Sequence, residues 1–190
     1  KNGTEFPVLV SLSPVNQDEG FIVITSIQDI TERKKAEEAS KELSQAIEQS
    51  PVTVAITDKE GTLEYVNPKF TEMTGYTAEE ALGQNPRVLN ARVQPKEYYT
   101  DMWNVLNSGE TWKGEFCNKK KNGEIFWENV SISSIKDDKG NVKKFVAVKE
   151  DITERKMKDR ATILSSQIGG ILISHNSLNK KLQACAEAIN

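Results

Sequence analysis

The chain repeats itself at a spacing that no small supersecondary unit can produce. Residues 1–20 read KNGTEFPVLVSLSPVNQDEG and residues 121–140 read KNGEIFWENVSISSIKDDKG, identical at nine of twenty positions. Asp29-Ile30-Thr31-Glu32-Arg33-Lys34 then recurs as Asp151-Ile152-Thr153-Glu154-Arg155-Lys156. The offset is 120 residues at the first match and 122 at the second, so two residues separate the copies in an intervening loop. Solenoid repeats run roughly 20–50 residues, so this period is that of a whole domain with its linker. It divides the 190 residues into four parts. Residues 1–30 are expected to be the C-terminal hairpin of a preceding domain, 31–50 a linker helix, 51–152 one complete domain, and 153–190 a second, coiled-coil-like linker.

Local patterns give the complete domain its element order. Val8–Pro14 and Phe21–Ile27 are β-rich runs around a turn, a hairpin. Thr31–Ser50 lacks Gly and Pro and carries Ala36, Ala39, Leu43 and Ala46 at helical spacing, with Asp29 or Thr31 available as a cap. Val52–Thr57 and Thr62–Asn67 flank a turn ending in Gly61. Pro68–Met73, Ala78–Leu82 and Pro95–Leu106 read as helices. Thr111–Lys119, Glu124–Ile135 and Val142–Glu150 read as three strands joined by Gly-containing turns. The order β-β-α-α-α-β-β-β excludes a βαβ alternation and predicts an α+β fold: an antiparallel sheet with helices gathered on one face.

With those elements in place, the short motifs acquire a pattern. Ser50-Pro51, Ile56-Thr57-Asp58, Gly61, Tyr65-Val66-Asn67-Pro68, Phe70, Thr74-Gly75-Tyr76, Glu79-Glu80, Gly83-Gln84-Asn85-Pro86, Trp112-Lys113-Gly114-Glu115, Lys121-Asn122-Gly123 and the Asp151–Lys156 run resemble the S-box class of PAS sensory domains across 45–156. Residues 1–34 resemble the tail of a second one. The resemblance implies a PAS fold, a five-stranded antiparallel sheet cupping short helices around a ligand cavity and flanked by long linker helices. It implies a sensory or relay module of a multidomain signalling protein such as a sensor histidine kinase in a two-component system. With one histidine and no nucleophile–base pair, metal cluster or phosphate loop in the sequence, no catalysis is expected of this piece.

The expected pocket residues are Ile56, Phe70, Met73, Tyr76, Leu89, Trp103, Phe116, Asn118, Trp127, Val130, Ile132 and Val148, with Val54, Trp112 and Val146 also reading as inward-facing. Any one of these is more often plain core. The default reading is no cofactor or an unknown small ligand. The light-oxygen-voltage branch of PAS domains needs a flavin-attacking thiol in Gly-x-Asn-Cys-Arg; here the segment is Gly83-Gln84-Asn85-Pro86-Arg87, so Pro86 stands where the thiol belongs. Of that branch's flavin-holding amides Asn118 is retained, while Asn90, Glu128 and Lys149 depart from the pattern. Histidine-ligated haem is excluded within the domain because His175 is the chain's one histidine; Met73 and Tyr99 are better read as packing. A redox-sensing flavin site of the kind in nitrogen-fixation regulators keeps some support from Trp103, Trp112-Lys113-Gly114 and Asn118-Lys119-Lys120-Lys121.

Asp151, Ile152 and Thr153 stand where the sheet hands over to a helix and are the expected signal relay. Beyond them Met157, Ala161, Leu164, Ile168, Ile171, His175, Leu178, Leu182, Cys185 and Ile189 alternate at spacings of four and three, a seam for a parallel homodimer. Residues 163–190 also resemble the opening helices of a GAF domain. His175 is not read as a phosphoacceptor, since Asn176-Ser177-Leu178 replaces the acidic, basic and Pro residues of that motif. The expected partners are a second copy and neighbouring PAS, GAF and kinase-type modules. Twenty-five basic against 28 acidic side chains argue against nucleic acid. No apolar stretch approaches the roughly 18 residues of a membrane span, and the opening Lys1-Asn2-Gly3 has no leader character, so a cytoplasmic location is expected.

Overall fold

A computed structural model of the chain describes residue 3 and residues 5–17 and 20–168. It divides into two compact units, residues 1–49 and 50–190. In the first unit, strands β1 (Val8–Gln17) and β2 (Gly20–Asp29) pair antiparallel and lead into helix α1 (Thr31–Glu48). Leu9, Leu12, Ile24 and Ile27 are exposed on the hairpin, and α1 buries none of its residues.

The second unit holds a five-stranded antiparallel sheet in the order β4 (Leu63–Val66), β3 (Thr53–Asp58), β7 (Val142–Asp151), β6 (Ile125–Lys136), β5 (Trp112–Lys119). Between β4 and β5 come α2 (Pro68–Thr74), α3 (Ala78–Ala81), a 3₁₀ turn at Pro86–Leu89, and α4 (Lys96–Asn107). Helix α2 packs on β3, α3 on β4, and α4 on β5 and β6, so all three lie on one face of the sheet. Residues 153–168 continue from β7 as helix α5. The α+β fold read from the sequence is the one observed, with the strands and helices of residues 51–152 within a few residues of their expected places.

Local chemistry explains the helix starts. The buried Asn67 side chain accepts from Val54 N–H at 2.9 Å and Phe70 N–H at 3.2 Å and donates to the Val52 carbonyl at 2.9 Å. One amide thus caps α2 and fastens it to β3. Pro68 follows at the first helical position, and Gly75, at φ 76°, ends the helix in the left-handed region that favours glycine. Thr77 and Glu80 form a reciprocal capping box on α3, and Lys121 from the β5–β6 turn pairs with Glu80 at 2.5 Å.

Two clusters fill the space between helices and sheet. Ala55, Leu63, Val66, Phe70, Ala81 and Leu89 form one; Met102, Leu106, Trp112, Phe116, Val130 and Phe145 form the other. Side chains alternate across a strand, so each strand commits one parity to this layer. That parity is odd on β3 and β7 and even on β5 and β6.

Candidate functional site

A cavity of about 400 Å³ lies in this layer. Its walls come from Ala55, Thr57 and Leu63 of the β3–β4 hairpin region, Phe70 of α2, Tyr99, Met102, Trp103 and Leu106 of α4, Phe116 and Asn118 of β5, Ile132 of β6, and Phe145, Ala147 and Lys149 of β7. Gly61, Asn85, Pro86, Arg87 and Asn90 close one side, where Asn85 Nδ2 donates to the Gly61 carbonyl at 2.9 Å. The size is that of sites for small organic molecules, and the lining is mostly apolar and aromatic. Trp103 meets Phe145 edge-on at 5.6 Å, and Tyr99 stacks on Phe116 at 5.7 Å.

Of the pocket residues expected from the sequence, Phe70, Trp103, Phe116, Asn118 and Ile132 line this cavity. The others do not. Val130 is on the correct face but packed within the second cluster. Leu89 is buried in the first cluster. Met73 turns to β3, where its sulfur accepts from the Thr53 hydroxyl at 3.7 Å. Tyr76 packs on the first cluster with the Lys121 ammonium 5.8 Å from its ring. Ile56, Trp127 and Val148 are on the opposite face of the sheet. There Ile56 pairs with Val146, Val54 pairs with Val148, and Val148 is 42% exposed. Trp127 lies under the Lys156 ammonium at 5.4 Å.

The correction has a simple cause. On β3 the larger apolar residues, Val54 and Ile56, are the outward ones, and the smaller Ala55 and Thr57 face the cavity. On β7 the run Phe145-Val146-Ala147-Val148 has no alternation from which to choose a face. A shift of one residue reverses every side chain.

Lys149 and Asn118 form the polar edge of the cavity. Both donate to Glu128 Oε1, Asn118 Nδ2 at 2.8 Å and Lys149 Nζ at 2.7 Å. All three side chains are buried. Glu128 Oε2 is buried with no partner among the described residues. A carboxylate at this depth is normally satisfied on both oxygens. Burial pushes the Tyr99 hydroxyl and the Cys117 thiol above their ordinary pKa values. Cys117 is on the odd, outward face of β5, and Pro86 lines the cavity where an adduct-forming thiol would be required. Among the described residues no group of His, Cys, Asp or Glu could hold a metal ion.

The sheet's exit is adjacent. Asp151 Oδ1 accepts from Thr153 N–H at 2.8 Å, and Ile152, buried, donates its N–H to the Trp127 carbonyl at 2.9 Å. Trp127 N–H donates to the Thr153 hydroxyl at 2.9 Å. Lys156, one turn into α5, pairs with Glu115 of β5 at 2.5 Å.

A PAS domain family model matches residues 1–32 and 51–154. A nitrogen fixation regulatory protein of Klebsiella oxytoca is 28% identical over 130 residues, 66% of this chain and 26% of that protein. A blue-light-activated histidine kinase of Brucella anthropi is 29% identical over 111 residues, 57% of this chain and 23% of that protein. Among solved structures, an RNA-binding light-oxygen-voltage receptor superposes with a TM-score of 0.61 at 26% identity, covering 68% of this chain and 38% of that one. The chain thus spans about a quarter of the length of these curated relatives.

Proposed function

This chain belongs to the PAS domain family, and on that premise we propose that residues 51–152 are the sensing and relay module of a longer signalling protein, a sensor histidine kinase. A small ligand in the cavity, or a change in a neighbouring module, alters β7, and the Asp151–Thr153 turn passes the change to α5. The observation that carries this reading is continuity: β7 places Phe145, Ala147 and Lys149 in the cavity wall and ends in that turn. A ligand shifts such an equilibrium only by binding its two states unequally. The stretch from Phe145 to Asp151 is where unequal binding would act on the helix.

The expected partners follow from the same reading. Met157, Leu164 and Ile168 are exposed on α5, and a second copy covering them would make the relay a paired helix. The seam's continuation at Ile171, His175, Leu178, Leu182, Cys185 and Ile189, and the GAF-like stretch, fall largely outside the described residues. Among the described residues no helix is long and apolar enough to cross a membrane.

The test is Asp151→Ala in the parent protein. The domain should remain folded while output loses its dependence on the stimulus. Full stimulus control in that variant overturns the relay, and equal output after filling the cavity with Ala55→Leu would leave a ligand-free dimerising spacer.

A second reading, flavin bound without an adduct, draws on the aromatic walls, the incomplete polar edge and the blue-light and light-oxygen-voltage relatives. Asn118 and Lys149 would meet the ring's polar edge, and a bound flavin would supply redox sensitivity. Protein purified with flavin supplied should then absorb in the flavin bands; a colourless product overturns this reading.

A further inference from the structure

A helix that leaves a sheet through a single turn can swing about that turn, and α5 is held at a second place. Glu115, on the outer face of β5, meets two side chains of the helix's first turn. Its Oε2 lies 2.5 Å from Lys156 Nζ, and its Oε1 lies 3.6 Å from Arg155 Nη2. The Asp151–Thr153 turn fixes where the helix starts; Glu115 fixes which way it points.

The backbone of the same residue is tied to the cavity wall. Glu115 N–H donates to the Tyr98 hydroxyl at 2.9 Å, and its carbonyl accepts from that hydroxyl at 3.0 Å and from Gln94 Nε2 at 3.1 Å. The next residue along each element, Tyr99 on α4 and Phe116 on β5, lines the cavity, and their rings stack at 5.7 Å. A guest that displaces this stack therefore displaces Glu115 without acting through β7.

The first copy shows a second arrangement open to the arginine. Asp29–Lys34 opens α1 as Asp151–Lys156 opens α5, and there Arg33 pairs with Glu37 of its own helix at 2.8 Å. The corresponding residue of α5 is Asp159, also four positions after the arginine. Arg155 thus has two acidic partners to choose between, one across on β5 and one along the helix. Its pair with Glu115 and that of Lys156 are both partly exposed, and such pairs are weak enough to break and re-form.

Resting on the reading of this domain as a relay, we propose that Glu115 is a positioning residue for α5 with two settings. In the engaged setting it holds Arg155 and Lys156 against β5. In the released setting Arg155 turns to Asp159 and the helix tilts about the exit turn. The Tyr99–Phe116 stack connects the cavity to this choice.

The test reads the direction of α5 as a distance between spin labels on Lys139→Cys, in the β6–β7 turn, and Ser166→Cys, on α5. Both sites are exposed, and the chain's own two cysteines are replaced by alanine. Labelled chain is diluted in unlabelled chain so that only distances within one copy are read. With Glu115 in place, the released population should rise about two- to fivefold from low to high salt, the size expected for exposed ion pairs. Glu115→Gln, which keeps the backbone bonds to Tyr98, should show the released population at low salt and no further response. Glu115→Lys with Lys156→Glu should restore the salt response. Tyr98→Phe, which frees the Glu115 peptide, should also shift the distribution towards release. A distribution indifferent to salt with Glu115 in place, an unaltered Glu115→Gln variant, or a charge exchange that restores nothing overturns the proposal and leaves the exit turn as the relay. An unmoved Tyr98→Phe variant overturns the link to the cavity. If Asp151→Ala also leaves the distribution unmoved, the relay reading falls with the proposal.

Discussion

At Gly114 the indole of Trp112 and the hydroxyl of Tyr98 occupy the place where a Cβ would stand. The same Tyr98 hydroxyl accepts from Glu115 N–H at 2.9 Å and donates to the Glu115 carbonyl at 3.0 Å, tying α4 to β5. The Trp-x-Gly pattern, which in the sequence favours a ring-binding site, is thereby given a packing role. Trp112 stacks on Phe116 at 5.1 Å and does not line the cavity. We expect Gly114→Ala to destabilise the domain by about 1–3 kcal/mol, as overpacking does. Chemical denaturation measures this, and an unchanged midpoint would refute the packing role. Glu128 and Lys149 teach a related lesson. As sequence they register only as departures from an amide pattern; the diagonal across β6 and β7 makes them a buried pair.

Among the elements, the two exit turns can be compared directly. Both use Asp to hold the N–H of the Thr two residues on. They differ at the strand behind the turn. Trp127 donates its N–H to Thr153, whereas its counterpart Pro7 has none to donate, and the Thr31 hydroxyl instead donates to Asp29 at 2.6 Å. The second turn therefore has a cross-strand hydrogen bond that the first lacks. Thr153→Val should cost about 1 kcal/mol and raise amide exchange at Trp127 and the start of α5. Thr31→Val should leave exchange in its own hairpin nearly unchanged. Equal responses would show that the proline makes no difference.

Over the whole molecule, exposed apolar side chains gather in the linkers and in the hairpin of the first unit, where Leu12 and Phe21 are both more than 60% exposed. Met157, Leu164 and Ile168 are exposed on α5, the face that the proposed second copy would cover. Light scattering should give a dimeric mass, and Leu164→Asp with Ile168→Asp should convert it to monomer; a monomeric wild type would exclude the paired helix. Much of this organisation is legible in the chain alone. Turn, cap and breaker residues mark the elements, because those signals act between near neighbours. The cavity wall was legible only in part. Phe70, Trp103, Phe116, Asn118 and Ile132 could be read, while Ala55, Thr57, Phe145, Ala147 and Lys149 could not. Strands β3 and β7 sit inside the sheet, carry apolar residues on both faces, and so do not declare which face turns inward. Pairing between strands distant in the chain decides that, and with it which two charges meet in the interior.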